Sequence, residues 1–176
     1  MKQALVIVDM QEAFFLDSQN YLFESEKVLE NINALITWAR SNQVKVIFIQ
    51  HTDSNEEDDF AFGKPGWELY RGLLRQSKDR VIQKTSWDAF YRTELAQYLQ
   101  EQKIEQLIFA GAQTEYCLDT TMRSAYSHGY HNNILVEDAH STLDSQVFNA
   151  EQIIKHHESI WHQRFVTIQP ITFFNN

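Results

Sequence analysis

Short, nearly continuous apolar runs alternate along this chain with longer stretches in which apolar positions recur every three or four residues. Leu5–Val8, Val44–Ile49, Leu107–Ala110, Ile134–Val136 and Phe165–Ile168 are runs of the first kind. Strands buried on both faces read this way, as in a parallel sheet covered by helices. Arg80–Gln83 is a weaker strand candidate, just before Lys84. Val28, Leu29, Ile32, Leu35, Ile36 and Ala39 form a stripe at helical spacing, with Glu26, Lys27, Glu30 and Asn31 off it. Further helices are predicted over Thr93–Lys103, Cys117–Gly129 and roughly Gln146–Trp161. The alternation of strand and helix predicts one open α/β domain over residues 1–176, with no linker or internal repeat to divide it. The longest irregular stretch, His51–Gly66, is long enough to be an active-site lid, the alternative being a solvated surface loop.

Composition narrows the function without naming it. The 176 residues are 43% hydrophobic and 22% charged, as in a soluble globular protein. No run approaches the ~18 apolar residues of a membrane span, and the N-terminal apolar run is too short for a secretory signal, so a cytoplasmic protein is expected. A net charge of −9 without a basic stripe argues against nucleic acid or an anionic membrane as partner. The single cysteine, Cys117, excludes an intrachain disulfide and a cysteine-rich zinc site.

In doubly wound sheets ligands bind at the carboxyl ends of the strands. Asp9, His51, Lys84 and the segment Gly111–Thr114 all follow predicted strands, and Cys117 lies where a helix is expected to begin. Each alone has a structural explanation: a turn cap, a surface charge, a thiol packing helix against sheet. Together they form an acid, an amine and a thiol at three strand ends, a self-consistent nucleophilic site. On this reading Asp9 accepts the thiol proton. Lys84 and the helix terminus lower the thiol pKa below its ordinary ~8.5. The helix terminus also offers N–H groups to an oxyanion. The strands ending near Asp9, Lys84 and Ala110 are expected to be adjacent and parallel.

Three segments make the chain recognisable: Val6–Gln11 (VIVDMQ), Gln83–Phe90 (QKTSWDAF) and Ala110–Thr121 (AGAQTEYCLDTT), supported by Gly66–Glu68 and Glu137–Thr142. In this order and spacing they resemble the signature blocks of the isochorismatase-like cysteine hydrolases, a superfamily that includes nicotinamidases, carbamoylsarcosine amidases and isochorismatases. The resemblance implies a three-layer α-β-α sandwich, Rossmann-like, around a six-stranded, mostly parallel sheet. It implies Asp9 as general base, Cys117 as nucleophile and Lys84 as the cation between them. It also implies a cis peptide between Ala112 and Gln113, with the N–H groups of Gln113 and Cys117 as oxyanion hole. The implied reaction is cleavage of an amide-type C–N bond through a thioester. The alternatives are vinyl-ether hydrolysis, a non-catalytic ligand-binding relative, and a redox role for Cys117.

Metal-dependent nicotinamidases of this superfamily carry Asp-x-His after the second strand and a further histidine downstream. Here the order is reversed, His51-Thr-Asp53, and the next histidine is His128, so neither metal nor other cofactor is expected. His140 reads as structural or interfacial, and His156 and His157 as solvated or subunit-contacting. The residues expected to line a pocket are Gln11, Phe15, His51, Trp67, Trp87 and Tyr116, with Phe14 among the flanking aromatics. The acidic run Glu56–Asp59 suggests attraction of a cation or merely a solvated face. A homo-oligomer, dimer or tetramer, is expected from the family and from the apolar residues of Ile168–Phe174.

Overall fold

The structure, a computed structural model, describes residues 1–17 and 21–174. Six strands form one sheet: β1 (Gln3–Val8), β2 (Lys45–His51), β3 (Arg80–Lys84), β4 (Gln106–Ala112), β5 (Asn133–Ser141) and β6 (Val166–Gln169). Their order is β3-β2-β1-β4-β5-β6, and every neighbouring pair is parallel. The helices are α1 (Ser25–Ser41), α2 (Leu95–Glu101), α3 (Asp119–Ser127) and α4 (Ala150–Trp161). Among the described residues no helix is long and apolar enough to cross a membrane.

The continuous apolar runs follow from burial on both faces. In β1, Ala4, Val6 and Val8 face a cluster completed by Leu95 and Leu99 of α2, Met122 and Ala125 of α3, and Trp161 of α4. The intervening Leu5 and Ile7 face a second cluster with Ile32, Leu35, Ile36 and Ala39, the buried stripe of α1. One strand thus contributes to two cores, and after Gln3 at its start no polar residue occurs until Asp9, beyond its end.

Three expectations change. β2 lies between β1 and β3, so the strands ending near Asp9 and Lys84 are not neighbours, although β1 and β4 are. The extended lysine side chain spans the intervening strand. The last long helix begins at Ala150, not near Gln146, because Asn149 and Gln152 form a reciprocal capping box. The segment Ile168–Phe174 is not simply an exposed apolar tail. Phe174 is buried edge-on against Trp38 of α1, 4.7 Å between ring centroids, while Phe173 stays exposed.

Where β1 and β4 emerge side by side, Val8 is in register with Gly111. Gly111 has φ +117°, and a Cβ there would stand 2.1 Å from the Val8 carbonyl oxygen. Only glycine fits both the backbone conformation and the contact. Gly111→Ala is therefore expected to destabilise the fold by about 3 kcal/mol or more in urea unfolding. A loss below about 1 kcal/mol would show that the strands part easily here.

Candidate active site

The strand ends bring the polar residues together. Asp9 takes φ +47°, a left-handed conformation that aspartate tolerates, and its N–H donates to the Ile49 carbonyl of β2 at 3.1 Å. Lys84, the last residue of β3, is in register with His51, the last of β2. The Lys84 ammonium lies 2.7 Å from Asp9 Oδ2, 3.2 Å from Cys117 Sγ and 3.2 Å from His51 Nδ1. The ammonium is thus hydrogen-bonded to Sγ and Nδ1 and ion-paired with the Asp9 carboxylate. The Lys84 and Asp9 side chains are 0% and 3% exposed, so the pair is removed from water. Asp9 Oδ1 has no hydrogen-bond partner among the described residues.

The thiol is held differently from the sequence expectation. The helical run starts at Thr114, three residues before Cys117. It opens with a single wide π-type turn, Thr114–Leu118, that continues into α3. The N–H groups of Tyr116 and Leu118 both donate to the Gln113 carbonyl, at 3.2 and 3.1 Å. Turns of this kind often mark functional sites. The Ala112–Gln113 peptide bond leading into the turn is cis. Behind the turn, Thr114 Oγ1 is 3.0 Å from His140 Nδ1, and His140 Nε2 is 3.2 Å from Glu158 Oε1 of α4. His140 is thus a buried link between β5, the Cys117 turn and α4.

Electrostatics at the site follow from burial and from these pairs. Burial alone would lower the Lys84 pKa, but the Asp9 carboxylate, helped by the contact with Cys117 Sγ, outweighs it and holds the ammonium above its ordinary range. Burial and the nearby Asp9 charge push the Cys117 thiol up, and Lys84 only partly opposes them. The expected lowering of the thiol pKa is therefore corrected. Asp9 offsets much of the Lys84 charge that would stabilise a thiolate, so Cys117 rests as a neutral thiol. His51 is lowered, by burial and then by Lys84, against smaller opposing effects of Asp9 and Asp53. An ammonium only donates, so His51 Nδ1 must accept, which assigns the remaining ring proton to Nε2. Nε2 is 3.8 Å from Asp53 Oδ2, beyond hydrogen-bond distance.

A cavity of about 340 Å³ opens over the thiol. Asp9, Cys117, Gln113 and His51 line its inner part, and Phe14, Phe60, Trp87 and Tyr116 supply its aromatic walls. Asp53 and Asp58, from the loop after β2, complete it. Of the residues expected here, His51, Trp87 and Tyr116 line the cavity, whereas Gln11, Phe15 and Trp67 do not. Gln11 is buried, donating through Nε2 to the carbonyls of His51 (2.9 Å) and Trp67 (2.7 Å) and accepting from the His51 N–H (2.7 Å). Trp67 is buried and donates its indole N–H to Thr52 Oγ1 at 2.9 Å. Both pin the loop after β2. Phe15 turns away and stacks on Tyr70, 3.6 Å between centroids. Phe60 and Asp53 escaped sequence reasoning as cavity residues, whereas Asp58 belongs to the acidic run Glu56–Asp59 already read as a cation attractor or a solvated face. The length of the loop and that run were the signals that it folds over the site.

Asp9, His51 and Cys117 also place one ligand atom each within 4.8 Å of one another, as a shared cation would require. Lys84 Nζ already bridges all three, so the cation this donor set shares is the ammonium. A metal ion would have to displace it, and the residues do not fit one.

Comparisons with known proteins agree with the fold. The model of the isochorismatase domain matches residues 3–160. The chain is 32% identical over 142 residues to a streptothricin hydrolase of Streptomyces noursei, covering 81% of this chain and 55% of that protein. It thus spans about half the length of that relative. It is 28% identical to the ureidoacrylate amidohydrolase RutB of Serratia proteamaculans over an alignment of 171 residues, 78% of this chain and 69% of that one. A solved structure of an isochorismatase family protein superposes with a TM-score of 0.87 at 39% identity, covering 95% of this chain and 97% of the other.

The His51 arrangement predicts a pH dependence. Its folded pKa lies below its unfolded value of about 6.5, so folding favours the neutral ring. That contribution is complete above the unfolded value and is lost as pH falls toward the lowered native one. Unfolding midpoints followed from pH 7 downward should fall less steeply in His51→Gln than in wild type. Equal slopes would mean the histidine is not held neutral.

Proposed function

The chain belongs to the isochorismatase family, and on that premise we propose that it is a cysteine hydrolase that cleaves an amide-type C–N bond of a small molecule. The observation that carries this reading is the Lys84 ammonium in contact with both Asp9 and the Cys117 thiol at the floor of a cavity. The similarity to RutB, an amidohydrolase, supports the bond type.

Because the thiol rests neutral, a base must take its proton during attack. His51 is unsuited, since its Nδ1 is occupied by Lys84 and its Nε2 carries the proton. Asp9, whose carboxylate lies within 4.8 Å of the sulfur and has no hydrogen-bond donor on Oδ1 among the described residues, is the base. As the Sγ–carbon bond forms, the thiol proton passes to Asp9. The carbonyl oxygen becomes an oxyanion that the backbone N–H groups of Gln113 and Cys117 receive. The C–N bond then breaks, its electron pair leaves with the nitrogen, and Asp9 returns the proton to that nitrogen. Water, deprotonated by Asp9, attacks the thioester, and Sγ departs and recovers a proton. Lys84 remains protonated throughout, compensating the negative charge that moves between carboxylate and sulfur.

The test is ammonia or amine release from a panel of small primary and secondary amides. Cys117→Ser, Asp9→Asn and Lys84→Met should each lower kcat/KM by about 10³-fold or more, with little additivity because the three act as a unit. Circular dichroism would check that the fold persists. Turnover retained in Cys117→Ser, or no amide hydrolysed faster by wild type than by that variant, would overturn the proposal.

A further inference from the structure

We infer that the cavity over Cys117 selects substrates carrying a positive charge, such as an amine, guanidine or quaternary ammonium on the acyl or leaving side of the amide. The inference specifies a substrate class for the site proposed above. Its test, however, does not depend on turnover.

The charges of the cavity do not balance. Asp9 at its floor is offset by Lys84 buried behind it, and His51 is neutral. What remains are Asp53 and Asp58, and among the described residues lining the cavity none is lysine or arginine. Each carboxylate uses one oxygen in its own loop: Asp53 Oδ1 accepts from the Asn55 N–H at 2.7 Å, and Asp58 Oδ1 from the Phe60 N–H at 2.8 Å. Neither is paired with a lysine or arginine. The excess is thus two negative charges beside a buried, unpartnered carboxylate oxygen, that of Asp9.

The walls suit the same ligand. Trp87 and Tyr116 stand at the mouth with ring centroids 5.8 Å apart, 59% and 44% exposed. Phe14 and Phe60 meet edge to face further in, centroids 5.1 Å apart. Aromatic faces attract cations through their quadrupole, more strongly as water is excluded. An anionic substrate would meet two like charges with no lysine or arginine among the described residues lining the cavity to offset them. The net charge of −9 adds a long-range attraction of the same sign.

Because Cys117 is the only cysteine, its modification reports which charges the cavity admits. The probes are methanethiosulfonates of three kinds: trimethylammonium-ethyl, methyl and sulfonatoethyl. Each forms a mixed disulfide with the thiol and expels methanesulfinate. Rates are normalised to those with free cysteine and read by intact mass at low salt. The cationic reagent should exceed the anionic one by about tenfold or more, and the ratio should fall toward one in 1 M salt (about 3 Å screening length). The double variant Asp53→Asn, Asp58→Asn keeps both turn-forming Oδ1 acceptors and should collapse the ratio likewise. A ratio at or below one, a ratio the double variant leaves unchanged, or failure of the cationic reagent to reach the thiol would overturn the inference. A cationic preference in a protein that hydrolyses no amide would sink the hydrolase reading and leave this one standing. Amide turnover indifferent to charge would do the reverse.

Discussion

A fully buried ammonium needs compensation, and the strand ends of this protein are arranged around providing it to Lys84. Removing an ion from water costs several kcal/mol even after relaxation, and stripping one partner from a buried pair costs about 3–5 kcal/mol. The compensation comes from three places in the chain: the residue after β1, the end of β2 and the turn after β4. These converge only if β2 lies between β1 and β3 and if β4 flanks β1 on the other side. The sheet order and the cluster are therefore two aspects of one constraint. Gly111 belongs to it as well, since without a side chain β4 can run close against Val8 just before the chain turns toward Cys117.

The same economy of contacts builds the cavity. Gln11, two residues after Asp9, ties the backbone of His51 to that of Trp67, and Gln50 donates to the same Trp67 carbonyl at 2.9 Å. The loop after β2 is thus anchored through buried polar contacts near Asp9 and His51. Its aspartates then turn the backbone locally and present Phe60 and two carboxylates to the opening. A change in Gln11 would be felt at His51 and at the cavity wall together, because one side chain supports both.

How much of this was legible in sequence varied with the kind of interaction. The two-faced burial of β1 was readable from Leu5–Val8, because a strand covered on both sides leaves no polar position. The stripe of α1 and the gathering of Asp9, Lys84 and Cys117 were readable for similar reasons of period and placement. The direction of the Cys117 pKa was not, because it depends on a balance between burial, Asp9 and Lys84 that spacing does not reveal. Nor were the parts played by Phe15, Trp67 and Gln11. Their nearness in sequence to the motif residues said nothing of rotamer or loop path. Phe15 points to Tyr70, while the more distant Phe60 returns over the site. The capping box at Asn149 was present in the sequence as Asn-Ala-Glu-Gln, yet the apolar pattern alone drew the helix start too early.

In the proposed reaction, unlike the usual picture of an activated cysteine, Cys117 rests protonated and Asp9 removes its proton only during attack. Lys84 is largely offset by Asp9 at rest and compensates the negative charge once it moves to the sulfur. The S–H stretching band in the Raman spectrum tests this most directly, because the chain holds one cysteine and the band belongs to it alone. Titrated in the free protein, the band should be present at neutral pH and persist well above the ordinary thiol range. Its absence at neutral pH, with a thiolate in its place, would contradict the account.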